Sequence, residues 1–488
     1  MRLLNTRTLE LKQFNTGTIP VYAILSHTWE EEEVTLQELH TPAARRKKGF
    51  KKIIDFCDEA AARGIEWGWV DTCCIDKTDL VELSQAINSM FAWYRDSAVC
   101  LAYLSDFHLQ QQGNQWNYSD VGRCRWFTRG WTLQELIAPE HLVFYDARWR
   151  VFGTKKGLAD LVSEVTGINA KLLRCQKSLH KFSCAQKMSW AAYRQTTRVE
   201  DRAYSLLGLF DICFSPVYGE GWRAFGRLQE EILKVSTDQS IFAWTQNGPL
   251  NPLDGPNASK PVDWGQRHRC SILAPTPDCF FGSSSIICAR TDPVHHEHPR
   301  LARHLSGAAG ATRASLNRPI ALSNTGLQIA LLVRNVVVRH GLCLVEAMLN
   351  CRHDFDRKRK ITIFLIAATG GSRCDSKSDV VPAWRIEPYY LGTTKYMEDF
   401  VVMEDFVVTF DIYPIHAVWS ESSGEVRRVD TDRHEHRAQR KAARKRINRA
   451  RKHEEERVAD KHRVKVAVGA AASVLVVGLF CKSIRTPS

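Results

Sequence analysis

A chain of 488 residues exceeds one ordinary domain, and 44% hydrophobic content with 14 Trp and 21 Phe supplies sizeable cores for two or three units. The formal net charge of +13 is a property of the tail: residues 427–465 carry 16 Lys and Arg against seven Asp and Glu, while residues 1–426 hold 49 basic against 47 acidic residues. A basic body that tracks phosphates is thereby excluded, and no nucleic-acid partner is expected.

In chain order, VYAILSHTW (Val21–Trp29) reads as a buried strand ending in a Ser/His/Thr loop, and Phe50, Ile53, Ile54 and Cys57 give the next helix an apolar face that Gly64 stops. WGWV (Trp67–Val70) is a second apolar strand that ends at Asp71. Asp79 then stands at an N-cap position with Glu82 three residues on, and Leu80, Leu83, Ile87, Met90, Phe91 and Tyr94 recur at helical spacing. Asp96 and Ser97 end that helix and AVCLAYL begins a third strand, expected to lie beside Trp67–Asp71 in parallel. Asp106–Arg125 reads as a polar surface loop, Arg129–Pro139 as a short helix, His141–Asp146 as a strand and Gly157–Val165 as a helix. The alternation predicts an α/β fold, a parallel sheet flanked by helices over about residues 15–170.

A helical extension is expected over 171–246, with Thr197 and Glu200 as a capping box and Trp222, Phe225, Leu228 and Ile232 as an apolar stripe. Residues 247–264 read as a linker and 265–420 as a β-rich second domain, from GLQIALLV, GLCLVEAML, ITIFLIAA and the duplicated MEDFVVMEDFVV. The basic C-terminal tail divides into a charged stalk at 421–465 and an apolar run, Val466–Cys481, of 16 uncharged residues between lysines. That run is short of the ~20 residues a bilayer core asks for. Lysine snorkelling makes up some of the difference, so a C-terminal membrane anchor on a cytoplasmic body is expected, the competing reading being a buried helix.

Fifteen Cys, several in apolar runs, and no secretory signal at the N-terminus suit a reducing compartment, so disulfides are not expected. No CxxC pair supports zinc, and the histidines His295, His296 and His298 lack a second ligand group. Ser26 and His27 lack an evident triad partner, no GxxxxGK[ST] loop is present, and Cys73 and Cys74 fit small hydrophobes better than reactive thiols. Arg198, Glu200 and Asp201 read as a charge cluster fixing the helical region to the α/β domain.

AILSHTW (Ala23–Trp29), WVDTCCIDK (Trp69–Lys77), MFAWYRDSAVCLAYL (Met90–Leu104) and RGWTLQELIAP (Arg129–Pro139) resemble, in order, the signature blocks of the fungal heterokaryon-incompatibility (HET) domain. MSWAAYRQTTRVEDRAYSLLGLF and YGEGWRAFGRLQEEI are similar to the continuation in filamentous-fungal HET proteins, so the likeness covers about residues 20–245. Lys77 stands where that family usually has Gln. The resemblance implies nonself recognition and regulated cell death when unlike hyphae fuse, with self-association and an upstream incompatibility partner.

HET domains in turn resemble TIR domains, whose catalytic Glu lies in a short Trp-Cys-x-x-Glu-Leu helix after the third strand. Trp131, Thr132, Glu135 and Leu136 fall in the corresponding place, with Thr132 for the Cys, and Ser26 ends the first strand. The likeness implies Glu135 as the catalytic carboxylate, with NAD as a substrate and no bound cofactor or metal. Ser26, Asp71, Asp76 and Trp131 are the accompanying candidates for substrate binding. Trp131 and Glu135 are four residues apart, which predicts a shared helix face. The competing reading makes Trp131 core and Glu135 a solvated helix residue, and the Asp residues turn or helix caps. A non-catalytic signalling module stands beside the enzyme as the alternative function.

Overall fold

The structure, a computed structural model, describes residues 1–245 apart from short interruptions at 16, 113–114 and 119, then 272–288, and seven shorter stretches between 320 and 408. Residues 1–415 form one compact unit. The expected linker at 247–264, the stalk, the apolar run 466–481 and the His295, His296, His298 cluster lie outside the described residues.

The N-terminal region is α/β. Two short strands, β1 (Arg2–Asn5) and β2 (Leu11–Gln13), precede β3 (Tyr22–His27), every residue of which is buried. The long helix α1 (Lys48–Ala62) leads to β4 (Trp67–Trp69), and α2 (Leu80–Asp96) leads to β5 (Val99–Tyr103). A small hairpin, β6 (Gln110–Gln112) and β7 (Gln115–Asn117), precedes two one-turn helices, α3 (Arg125–Thr128) and α4 (Thr132–Ile137). Strands β8 (Leu142–Tyr145) and β9 (Val151–Thr154) and helix α5 (Ala159–Thr166) complete the layer.

The seven strands run in the order β2-β1-β4-β3-β5-β8-β9, the central four parallel and the others antiparallel. The sequence expectation that Trp67–Asp71 and Val99–Leu104 are neighbours is corrected: β3 lies between them, pairing Ile24 with Trp69 on one side and with Cys100 on the other. An apolar run buried on both faces belongs in the middle of a parallel sheet, and YAILSH is the one that takes that place. Consequently the connections leave β3 in opposite directions, and its carboxyl end, Ser26 and His27, is the switch point where such sheets bind ligands.

Asp79 caps α2 as its position implies, accepting from the amides of Val81 and Glu82. Glu82 does not close the box and pairs instead with Arg2 at 2.8 Å. The expected surface loop at Asp106–Arg125 holds the hairpin and leads into α3.

The next elements are helical: α6 (Ala170–Leu173), α7 (Cys184–Ala191), α8 (Asp201–Tyr204), α9 (Leu207–Phe210) and α10 (Arg223–Val235). The capping box lies at Ser183 and Gln186. Thr197 and Glu200 form none; Glu200 accepts from the amides of Gly219 and Gly221, whose positive φ turns both N–H groups toward one carboxylate. Phe225, Leu228 and Ile232 are buried along α10, whereas Trp222 precedes its first turn and is 50% exposed, outside the predicted stripe.

The remaining strands, β10 (Ile286–Cys288), β11 (Ala321–Ser323), β12 (Gly326–Arg339), β13 (Leu342–His353), β14 (Lys360–Ala368), β15 (Ala383–Ile386), β16 (Gly392–Thr394) and β17 (Val401–Val408), build one largely antiparallel sheet. Residues 272–288 pack on the helices, with Trp244 Nε1 donating to Ile272 O and Gln229 Nε2 to Ala274 O, both at 2.9 Å.

Candidate functional site

The switch point is filled by side chains from four elements. Ser26, fully buried at the end of β3, accepts from Trp126 Nε1 of α3 at 2.8 Å and donates to Glu135 Oε2 of α4 at 2.5 Å. Tyr94 of α2 donates to Leu25 O at 2.9 Å, and its hydroxyl also acts on the Glu135 carboxyl. Glu135 is 7% exposed, and burial, the largest influence, pushes its carboxyl from the ordinary 4.5 up to about 8. The Asp71 charge adds to the rise, while the bond from Ser26, the nearby Tyr94 hydroxyl and the charge of Arg129 oppose it. Such a carboxyl changes protonation near neutrality, in the range useful to a group that must both bind and stabilise charge.

Asp71 ends β4 beside this group. Its Oδ1 lies 2.9 Å from His27 Nε2 and its Oδ2 accepts from Trp29 Nε1 at 2.7 Å. Burial disfavours the charge, but His27, Lys77 and Trp29 outweigh it and hold the carboxyl well below the usual range. Lys77 lies 3.6 Å over the Trp29 ring, so the residue that departs from the family pattern packs against the site's rim. Behind His27, Nδ1 faces Glu33 Oε1 at 3.8 Å, and Glu33 is ion-paired with Lys52.

The sequence candidates are therefore not all brought together. Ser26 and Glu135 touch and Asp71 acts on Glu135 through space, whereas Asp76 closes a turn, accepting from the Thr78 amide and hydroxyl and from Gln37. Trp131 lies one helical turn before Glu135, in αR backbone conformation, its carbonyl accepting from Glu135 N at 3.5 Å. Its side chain also acts on Asp201 of the helical region, opposing the rise that burial gives that carboxyl. Cys73 and Cys74 are buried free thiols.

Two buried cations that sequence reading missed bracket α4. Arg194, 5% exposed, donates to Arg129 O at 2.9 Å and Thr132 Oγ1 at 3.1 Å, and burial pulls its guanidinium down to about 9. At the other end Lys155, 1% exposed, donates to Ile137 O at 3.4 Å and to Pro139 O, favourable for the negative end of the turn. Trp126 and Tyr94 were also missed, since each sits in an apolar pattern that reads as core. Among the described residues no group of three His, Cys, Asp or Glu side chains is arranged to hold a metal.

The heterokaryon incompatibility protein (HET) family profile matches residues 22–115, which takes in β3 and its switch point. The vegetative incompatibility protein HET-E-1 of Podospora anserina is 45% identical over 230 residues. Over these residues the chain is similar to the HET family. The HET-E-1 match takes in 46% of this chain but only 17% of that protein, so the chain spans a small part of its curated relative. A second profile, a domain of unknown function (DUF8212), matches residues 223–306, running from α10 across the sequence-predicted linker. No solved structure matches the chain.

Proposed function

We propose that this HET-like protein is an effector of heterokaryon incompatibility in nonself recognition and regulated cell death, and that its domain cleaves the nicotinamide–ribose bond of NAD in a TIR-like reaction through Glu135. The incompatibility role is supported by the likeness to HET-E-1. The chemistry is supported by one observation above the others: a carboxyl poised near pH 8 is held by Ser26 at the carboxyl end of the central strand. In this reaction the bond between ribose C1′ and the nicotinamide nitrogen breaks, its electron pair leaves with neutral nicotinamide, and water captures the ribosyl cation and gives up one proton to solvent. Ionised Glu135 stabilises that cation and accepts from ribose hydroxyls, and no paired acid is required. Nicotinamide release by the full-length protein should disappear in Glu135→Gln while the fold is retained; undiminished release rules the reaction out.

A second reading, a non-catalytic module that self-associates or recruits an upstream incompatibility partner, is favoured by Leu80 and Val81, 74% and 67% exposed at the start of α2, and by Trp29 at 46%. Under it, killing by the full-length protein survives Glu135→Gln and is lost in Leu80→Ser with Val81→Ser.

The proposal includes a cytoplasmic body anchored to a membrane by residues 466–481. Among the described residues no helix is long and apolar enough to cross a membrane, and this run lies outside them. A reporter fused to residues 425–488 that carbonate extraction releases from membranes would remove the anchor from the proposal.

A further inference from the structure

We propose that Arg194, which lies outside the α/β sheet on the segment after α7, is a positioning residue of the Glu135 site, fixing the first turn of α4 and the hydrogen-bond chain that ends on the Glu135 carboxyl. This rests on Glu135 being the working carboxyl of the proposed function. The path is continuous. Arg194 Nη1 donates to Thr132 Oγ1, Thr132 Oγ1 donates to Trp126 O, Trp126 Nε1 donates to Ser26 Oγ, and Ser26 Oγ donates to Glu135 Oε2. The same nitrogen holds Arg129 O, and Arg194 Nε holds Trp190 O at 3.0 Å, so the planar guanidinium ties α7 to α4.

The backbone beside it is clamped as well. Gln195 N donates to Thr128 O at 2.6 Å and Gly130 N to Gln195 O at 2.8 Å, forming a parallel bridge between Arg129 and Gln195. The preceding residue, Tyr193, has φ +61°, and its amide donates to Asp278 Oδ1, which also pairs with Arg202. A buried cation that meets only carbonyls and a hydroxyl in contact is costly without a compensating charge. The charge that acts on Arg194 is that of Glu135.

The groups acting on Glu135 are the Ser26 and Tyr94 hydroxyls and the charges of Asp71, Arg129 and Arg194, with the Cys100 thiol also in its field. Removing the Arg194 charge disfavours the ionised carboxylate, so its titration moves to higher pH. Loss of the fork also loosens the first turn of α4.

The test uses full-length protein labelled with carbon-13 at the glutamate carboxyls, the Glu135 signal being assigned by its loss in Glu135→Gln. In Arg194→Met the Glu135 midpoint should rise by about half a pH unit or more. Amide exchange over residues 132–137 should accelerate about tenfold. In Arg194→Lys the midpoint should stay within roughly 0.3 unit, since the charge remains, while exchange still accelerates severalfold because one ammonium nitrogen cannot reproduce the spaced Nε and Nη1 donors that reach Trp190 O and the α4 turn together. A folded Arg194→Met protein with an unmoved midpoint overturns the proposal, even if exchange is faster, because Arg194 is then only packing. If Arg194→Met does not fold, Arg194→Lys decides: parental exchange over α4 overturns the proposal, and faster exchange with a retained midpoint upholds it. Neither readout needs turnover, so absence of NAD cleavage removes the proposed reaction and leaves this relationship standing.

Discussion

Ser26 and Glu135, 109 positions apart, share a hydrogen bond of 2.5 Å at the end of the central strand. Ser26 is the only side chain that joins Trp126 Nε1 to the Glu135 carboxyl among the described hydrogen bonds, accepting from one and donating to the other. Ser26→Ala therefore leaves a buried indole N–H without its acceptor and takes the Ser26 donor from a buried carboxyl. The expected loss is about 2–3 kcal/mol in urea unfolding. Since the Ser26 bond favours the ionised carboxyl, the Glu135 titration should also move upward, and a variant with unaltered stability and titration would refute the assignment.

Glu135 gives a pH dependence whose sign is fixed. Its folded-state pKa of about 8 lies above the ordinary 4.5, so stability is full below pH 4.5 and is lost as pH rises toward 8. Glu135→Gln removes this loss. The variant should gain on the parent progressively between those values, reaching about 2–4 kcal/mol, and a constant difference across that window would mean that Glu135 titrates normally. Any NAD cleavage should show the complementary profile, rising through about pH 8 as the carboxylate forms.

Asp71 predicts the opposite limb. Its carboxyl is held below the ordinary 3.8, so its stabilisation is present above that value and is lost as pH falls through the lower folded-state pKa. Asp71→Asn should cost about 1–3 kcal/mol near pH 7, with the difference from the parent closing below about pH 3. A penalty that persists in acid would trace to lost packing rather than to charge. The bond from Trp29 offers an independent check, because Trp29→Phe should raise the Asp71 pKa without removing its contact with His27.

What the sequence made legible follows the range of the forces involved. Tyr22–His27, Val99–Tyr103 and the capped helix Leu80–Asp96 were readable because runs, periods and caps are local. Strands Arg2–Asn5 and Leu11–Gln13 were not, being three or four residues long and stabilised by pairing alone. The neighbour relation of β4 and β5 was misread because nothing in either run says that β3 inserts between them. At the site, Ser26 and Glu135 emerged from a family resemblance rather than from spacing. Arg194 carried no local signal at all; its meaning depends on a turn 62 positions away.

Gly130 tests the docking of the helical segment on that turn. A Cβ at this position would lie 2.4 Å from Thr196 Cγ2, closer than two carbons approach, while Ser205 Oγ at 3.4 Å would be an ordinary neighbour. The φ of Gly130 is not positive, so Gly130→Ala is opposed by the Thr196 methyl rather than by backbone strain. Because Gly130 N also donates to Gln195 O, the bridge beside Arg194 must open to relieve the clash. Gly130→Ala should therefore cost about 1–3 kcal/mol and speed amide exchange over α4. Thr196→Ser removes the offending methyl and keeps the hydroxyl that donates to Arg198 O. The double variant should recover most of the stability, a coupling of about 1 kcal/mol or more in a double-mutant cycle. Simple additivity of the two substitutions would mean that segment 194–196 is not seated against Gly130 in solution.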